Sequence, residues 1–429
     1  MAGLIVAQFQ EFTYEKKLHP SALCSLLIAL CSLLFHNQYM HKFNVAGEKL
    51  LTEKITKRFL SYVKVCTTSD PHSDQTPSTE GQLQLAKMLL NELQELGLQC
   101  ELCEHCYVIA RIPSNTAREV PVIGFLAHLD TSNDVSGSNV NAIVEKDKNI
   151  IRTDGKTLLG ADDKAGIAEI ISAAEYLLAH NEIEHGTIEL IFTPDEETGK
   201  GLPCFPMDKI TSKACYTLDG GPAGELEIEC FNAYSAAVHF TGKAIHPGTA
   251  RGKLVNASLM AAFYAVMLPR SESPESTDGY FGYWCLMEIN GNHENASLNI
   301  IVRDFTKEGI QRRVKALEHF ASAVEAQFPG GIVTVDAKPS YTNMKEKIDK
   351  NPEVLQKLML AAQNCNVEFT LKPIRGGTDG SRLTELGIPT PNIFTGGRNF
   401  HSRDEWVSID DMLSACKIVI ELSALWAMP

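Results

Sequence analysis

The sequence predicts an α/β protein: a larger domain on a mostly parallel sheet, interrupted by a smaller α+β insertion. Three observations support this. At 429 residues the chain exceeds one ordinary domain. Short apolar runs that read as strands alternate with helical patterns, as in parallel sheets covered on both faces. From about residue 229 the pattern changes to alternating, half-solvated strands with helices between them. The expected partition is an extension at 1–46, a larger domain in two parts (47–228 and 346–429), and the insertion at 229–345.

Taken in order, Leu51, Ile55, Phe59 and Tyr62 lie at helical spacing. Thr79 and Gln82 form a capping-box pattern before a helix carrying Leu85, Leu89, Leu93 and Leu96, closed by Gly97. YVIARI (107–112) and VIGFLA (122–127) read as strands, AGIAEIISAAEYLLA (165–179) as a helix, and IELIF (188–192) and CYTL (215–218) as further strands. In the insertion, AYSAAVHF (233–240) and NASLNIIVRDF (295–305) read as strands around a small-residue helix at 255–267. A helix at about 307–327 and GIVTVDA (331–337) complete it. Asn351-Pro352 opens a helix, NIF (392–394) is a strand, and a last helix starts from Ser408.

Composition narrows the function. Hydrophobic content of 44% with 21% charged residues describes a soluble globular chain, and a net charge of −14 opposes non-specific nucleic-acid binding. Twelve scattered cysteines in so long a chain read as reduced cytosolic thiols, so a cytoplasmic location is expected. The one cluster, CELCEHC (100–106), lacks the second ligand pair of a metal knuckle and reads as a strand edge. SALCSLLIALCSLLF (21–35) is uncharged and apolar. At about 22 Å as a helix it falls short of a ~30 Å bilayer core. It reads as part of an extension, and a membrane partner is expected only if it acts as a signal or anchor.

In open α/β sheets, sites form outside the carboxyl ends of the strands. Here those ends carry His128-Leu129-Asp130, Asp195-Glu196-Glu197, Asp219-Gly220-Gly221 and, beyond NIF, His401; Asp162 and Asp163 precede a helix. Singly each has an ordinary reading: a surface histidine, a helix N-cap, a solvated loop, a turn. Jointly they bring imidazoles and carboxylates to one rim, the ligand set of borderline dications such as zinc. A metal pair would offset the repulsion among neighbouring acids. Alternate residues at a strand end point the same way, so Asp130 can hold the His128 ring. Consecutive glutamates point apart, so one can bind metal while the other acts as a base.

FLAHLDTS, TDGKTLLGADDKAGIAEI, FTPDEETGKG, YTLDGGPAGELE, HPGTARGKLVNA, IRGGTDGSRL and FTGGRNFHSRDEW resemble the peptidase T family of tripeptide aminopeptidases. That family lies within the two-zinc metallopeptidases that include carboxypeptidase G and the aminoacylases. The similarity runs from about residue 48 to the C-terminus. It implies a catalytic parallel-sheet domain and an insertion that pairs two copies or acts as a lid. It further implies two Zn2+ per subunit: His128 and Asp219 on one, Glu197 and His401 on the other, Asp162 bridging, with a cis peptide after Asp162. Glu196 would be the general base and Asp130 the orienter of His128. His246 would reach the scissile carbonyl, and Arg303 and Arg375 a peptide carboxylate. The implied reaction is hydrolysis of the N-terminal bond of a short peptide. Its rivals are a related carboxypeptidase, dipeptidase or N-acyl amino acid hydrolase, or a catalytically impaired relative. Two departures stand out: NVNAIVEKDKNIIRTDG (139–155) is shorter than its family counterpart, and the apolar N-terminal segment has none.

Overall fold

The computed structural model of the protein describes residues 43–428. The apolar segment 21–35 and the rest of the expected extension before residue 43 lie outside them. Among the described residues no helix is long and apolar enough to cross a membrane.

Helix α1 (Val45–Tyr62) buries Leu51, Ile55, Phe59 and Tyr62, the stripe its spacing predicts. α2 (Glu80–Glu95) buries Leu85, Leu89 and Leu93 and ends where Gly97 turns to φ +81°. The expected capping box does not form, because Thr79 accepts no cap bond and Gln82 turns to Asp195. A buried carboxylate recruits a donor more strongly than an already solvated helix end does.

The chain then forms β1 (Gln99–Leu102), β2 (Val108–Ile112), β3 (Ile123–His128), and a hairpin of β4 (Ile143–Glu145) and β5 (Ile150–Arg152). Next come α3 (Ala161–Ala179), β6 (Ile188–Thr193), β7 (Ala214–Gly220) and β8 (Glu225–Cys230). β9 (Asn232–Thr241), α4 (Ala257–Met267), β10 (Tyr283–Gly291), β11 (Asn295–Asp304), α5 (Lys307–Gln327) and β12 (Ile332–Tyr341) follow. The chain closes with α6 (Lys345–Asp349), α7 (Pro352–Asn364), β13 (Thr370–Ile374), α8 (Asp379–Glu385), β14 (Asn392–Phe394), β15 (Gly397–Arg398), β16 (Trp406–Ser408) and α9 (Ile409–Trp426).

The fold is the expected α/β class: a large, mostly parallel sheet and a separate antiparallel sheet. The large sheet runs β1-β2-β6-β3-β7-β14-β8-β13. Its centre, β6-β3-β7-β14, is parallel, so four carboxyl ends meet at one rim. β3 and β6 are buried along their whole length, which explains their unbroken apolar runs. CELCEHC sits at β1, the sheet's edge, and its cysteines, like the others described, are free thiols.

The antiparallel sheet runs β10-β11-β9-β12. Ala236, Val238 and Phe240 on β9 and Leu298, Ile300 and Val302 on β11 alternate inward. They pack against Met260 and Tyr264 of α4 and Leu317 and Val324 of α5. Each of the valine, leucine, isoleucine, phenylalanine and methionine side chains among them contributes about 1.5–3 kcal/mol when fully buried. Thr306, Asn256 and Ser408 cap α5, α4 and α9 by accepting backbone N–H groups.

A third sheet, β15-β16-β5-β4, is antiparallel throughout. It takes in the stretch 139–155 and joins it to the strands on either side of His401.

Candidate active site

β3 ends at His128, opposite Thr193 of β6. Two residues beyond Thr193 the chain turns, with Asp195 in the left-handed region at φ +53°. That turn separates the three acids. Asp195 points back into the protein: its Oδ2 accepts the Ser78 N–H at 2.8 Å, its Oδ1 accepts Gln82 Nε2 at 2.6 Å, and its own N–H donates to Gln82 Oε1 at 3.0 Å. Glu196 and Glu197 are left facing the cavity at the rim. Their backbone N–H groups donate to Asp130 Oδ1 and Oδ2 at 3.0 and 3.2 Å. Asp130 thus fixes both glutamates, and its Oδ1 lies 3.3 Å from His128 Nδ1.

Asp162 lies between the two imidazoles. Its Oδ1 is 2.8 Å from His128 Nε2 and its Oδ2 is 3.3 Å from His401 Nε2. Asp219 Oδ1 is 3.5 Å from His128 Nε2, and Glu197 Oε2 is 3.0 Å from His401 Nε2. The Asp162–Asp163 peptide is cis. Asp163 is turned away, accepting the backbone N–H groups of His128 and Gly166 at 3.1 and 3.2 Å. Gly166 is required there: a Cβ would sit 2.1 Å from the Leu218 carbonyl oxygen, so only glycine lets α3 approach β7 this closely.

The electrostatics follow from crowding. Burial alone would lower the proton affinity of His128, but contacts to Asp130, Asp162 and Asp219 carry it well above its usual value. Asp162 and Glu197 lift His401 to about 11. Burial, then the charges of Asp219 and Asp162 respectively, raises Glu196 well above its ordinary range and Glu197 to about 7. Burial pushes Asp219 to about 6. A field that draws protons this strongly also draws dications.

The residues fit a metal pair. Ligand atoms of His128, Asp162 and Glu197 lie within 4.8 Å of one another, as do those of His128, Asp163 and Asp219. Glu197, its side chain 8% exposed, keeps Oε1 buried without a hydrogen-bond partner among the described residues. Of the two aspartates, Asp162 is the one with both oxygens free of backbone donors and aimed at imidazoles.

A cavity of about 530 Å³ opens on this centre, lined by Asp162, Glu196, Glu197, Asp219 and His401 and continuing to Glu227, Asn392 and Arg398. His246, Arg303 and Arg375 do not line it. His246 is exposed and accepts the Gly248 N–H at its own Nδ1. Arg303 donates to the carbonyls of Tyr234 and Val302 and lies over the Tyr341 ring. Arg375 clasps the 277–281 loop, donating to the carbonyls of Gly279, Phe281 and Thr277 and to Thr277 Oγ1.

Two contributing residues escape the strand-end reading. Asp134 Oδ2 lies 3.1 Å from His401 Nδ1, the counterpart of Asp130 beside His128. Buried Glu405 accepts the N–H groups of Leu159 and Gly160 on Oε2 at 2.6 and 2.8 Å and that of Asp162 on Oε1 at 3.2 Å. It ties the loop bearing His401 to the turn bearing Asp162. Its only sequence signal is its place four residues after His401.

Comparison with known proteins agrees with this geometry. Residues 125–424 match Peptidase family M20/M25/M40. Peptidase T of Clostridium perfringens is 45% identical over 403 residues, covering 87% of this chain and 99% of its own. In fold, the chain resembles the aminopeptidase PepT of Bacillus cereus, with TM-score 0.73, 22% identity, and 88% and 99% of the two chains covered. It also resembles a dinuclear metal-binding peptidase of Bacillus subtilis from the same family, with TM-score 0.64, 15% identity, and 88% and 98% covered. The chain belongs to Peptidase family M20/M25/M40.

Proposed function

We propose that the protein is a two-zinc aminopeptidase that removes the N-terminal residue of tripeptides. The carrying observation is the convergence of His128, Asp162, Asp219, Glu197 and His401 at one rim, with Glu196 in the same cavity. The similarity to peptidase T supports the substrate class. In this reading His128 and Asp219 would hold one ion and Glu197 and His401 the other, with Asp162, which lies between the two imidazoles, available to either. Imidazole with carboxylate is a donor set that suits zinc. Bound there, the ions supply Lewis acidity, lowering the pKa of a water and polarising the scissile carbonyl.

The chain's own groups do the rest. The Glu196 carboxylate takes a proton from the attacking water as the C–O bond forms, and gives it to the amine nitrogen as the C–N bond breaks. Its burial raises its proton affinity, which suits a group that must hold the proton between those two steps. Asp130 keeps the His128 ring and both glutamates in place. His246 is assigned to the scissile carbonyl, and Arg303 and Arg375 to the far carboxylate. Both arginines must exchange present backbone carbonyls for the peptide. The free thiols support a cytoplasmic location. The antiparallel sheet with its two helices is assigned as a lid or as the pairing surface of a homodimer.

Glu196→Ala should abolish hydrolysis of Ala-Ala-Ala while leaving zinc content intact; normal turnover would remove Glu196 from its role. Release of the N-terminal residue from Ala-Ala-Ala, and not from its N-acetylated form, separates this reading from an N-acyl hydrolase. A tripeptide of three different residues separates it from a carboxypeptidase, because the free amino acid released is then the first residue and not the last.

A further inference from the structure

Six carboxylates line the cavity. Asp162, Glu197 and Asp219 face the imidazoles, and Glu196 is given to proton transfer. Two remain, Glu225 and Glu227, on one face of β8. Glu225 is ion-paired with Lys372. Glu227 has no basic partner within ion-pair distance among the described residues. Among the described residues its carboxylate takes one hydrogen bond, from a neutral amide, Asn392 Nδ2, to Oε2 at 2.6 Å. Burial raises it to about 7.

Its position is set by the sheet. Asn392 lies opposite Glu227 in the β14–β8 pair and beside Thr217 in the β14–β7 pair. Asn392 Oδ1 accepts the Asp219 N–H at 3.1 Å and Thr217 Oγ1 at 2.7 Å. One side chain therefore links the ligand Asp219 to Glu227. The other charged group near this wall, Arg398, is engaged by Asp411 and the Gly396 carbonyl and stacks on Trp406.

Resting on the aminopeptidase reading, we propose that Glu227, held by Asn392, receives the α-ammonium group of the peptide. In a substrate cut at its first peptide bond, that nitrogen is two covalent bonds from the attacked carbon. Its acceptor must therefore lie beside the ion-binding residues, where the Asp219–Asn392–Glu227 link places it. An ammonium donates to Oε1 and supplies the positive charge that Glu227 lacks. A blocked or absent amine leaves Glu227 buried and unpaired, so the site selects free N-termini by penalising their absence.

The test compares Glu227→Gln with the wild type on Ala-Ala-Ala and on propionyl-Ala-Ala, which has the same skeleton without the amine. The glutamine keeps an oxygen for Asn392. Wild-type turnover of Ala-Ala-Ala is read first, and its absence overturns the aminopeptidase reading and this assignment with it. With that turnover present, kcat/KM of the variant for Ala-Ala-Ala should fall on the order of 10- to 100-fold, mostly through KM, as for a lost charge-assisted hydrogen bond. Turnover of propionyl-Ala-Ala should hold or rise, since the glutamine leaves no charge unpaired, and zinc content should not change. Calorimetric binding of both peptides in a Glu196→Gln background should show the same selective loss. Equal losses on the two peptides, or none, would overturn the ammonium subsite and leave the aminopeptidase reading standing.

Discussion

Glu405 offers a sharp test of how the centre is held. In Glu405→Gln, the amide oxygen can keep the two shorter bonds, from Leu159 and Gly160. Its NH2 must then face the Asp162 N–H, donor against donor, where the carboxylate had accepted at 3.2 Å. The loss is one bond to a charged group plus a stranded buried donor, about 1–3 kcal/mol. Because that donor belongs to Asp162, part of the loss should appear in metal binding, a fall on the order of 10- to 100-fold. Urea unfolding at matched metal loading measures the first quantity, and competition with a chromogenic chelator the second. A variant that is less stable yet binds zinc as tightly as the wild type would refute the positioning role. An unchanged unfolding midpoint would refute the packing argument as well.

Two further outcomes follow from buried groups. Glu169 on α3 is fully buried, and neither of its oxygens has a hydrogen-bond partner among the described residues. Burial, then Asp411, holds its pKa well above the usual carboxyl value. Between the unfolded and folded pKa values only the folded chain keeps this proton, so its contribution to stability falls by roughly 1.4 kcal/mol per unit as pH rises. Glu169→Met should remove that component and stabilise the protein by about 1–3 kcal/mol near pH 7. Urea midpoints from pH 5 to 8 check it, and a variant advantage that shrinks with rising pH would contradict it. Gly166→Ala places a methyl group 2.1 Å from the Leu218 carbonyl oxygen and 2.5 Å from Asp163 Oδ1. It should cost about 1–3 kcal/mol and displace β7 beside Asp219. Calorimetric melting and turnover measure this, and a wild-type melting point with full activity would contradict it.

Much of the fold is legible because burial leaves its period in the sequence. IELIF and VIGFLA are uninterrupted because β6 and β3 are covered on both faces. α5 is delimited by its Thr306 cap and amphipathic spacing. β8 and β13 are harder to read: ELEIEC and TLKPI carry glutamates, a lysine and a proline that disfavour strands by local propensity. β4, β5, β15 and β16 are two or three residues long, and only their mutual pairing makes them strands.

At the site, the cluster of candidate ligands was readable because a parallel sheet brings successive carboxyl ends to one rim. The turn of Asp195 back into the protein was not, since three adjacent acids do not reveal which one takes a left-handed φ. Asp134, Glu405 and Glu227 were hidden for a related reason. Their partners lie far along the chain (His401 for Asp134, the 159–162 turn for Glu405, Asn392 for Glu227), and no local pattern encodes such pairings.

Metal occupancy tests the central claim most directly. The purified chain, loaded with zinc and freed of excess, should retain two tightly held ions, lose tripeptide turnover when a chelator strips them, and regain it on reloading. A folded chain that holds no divalent ion, or that hydrolyses Ala-Ala-Ala equally well under chelation, would contradict it.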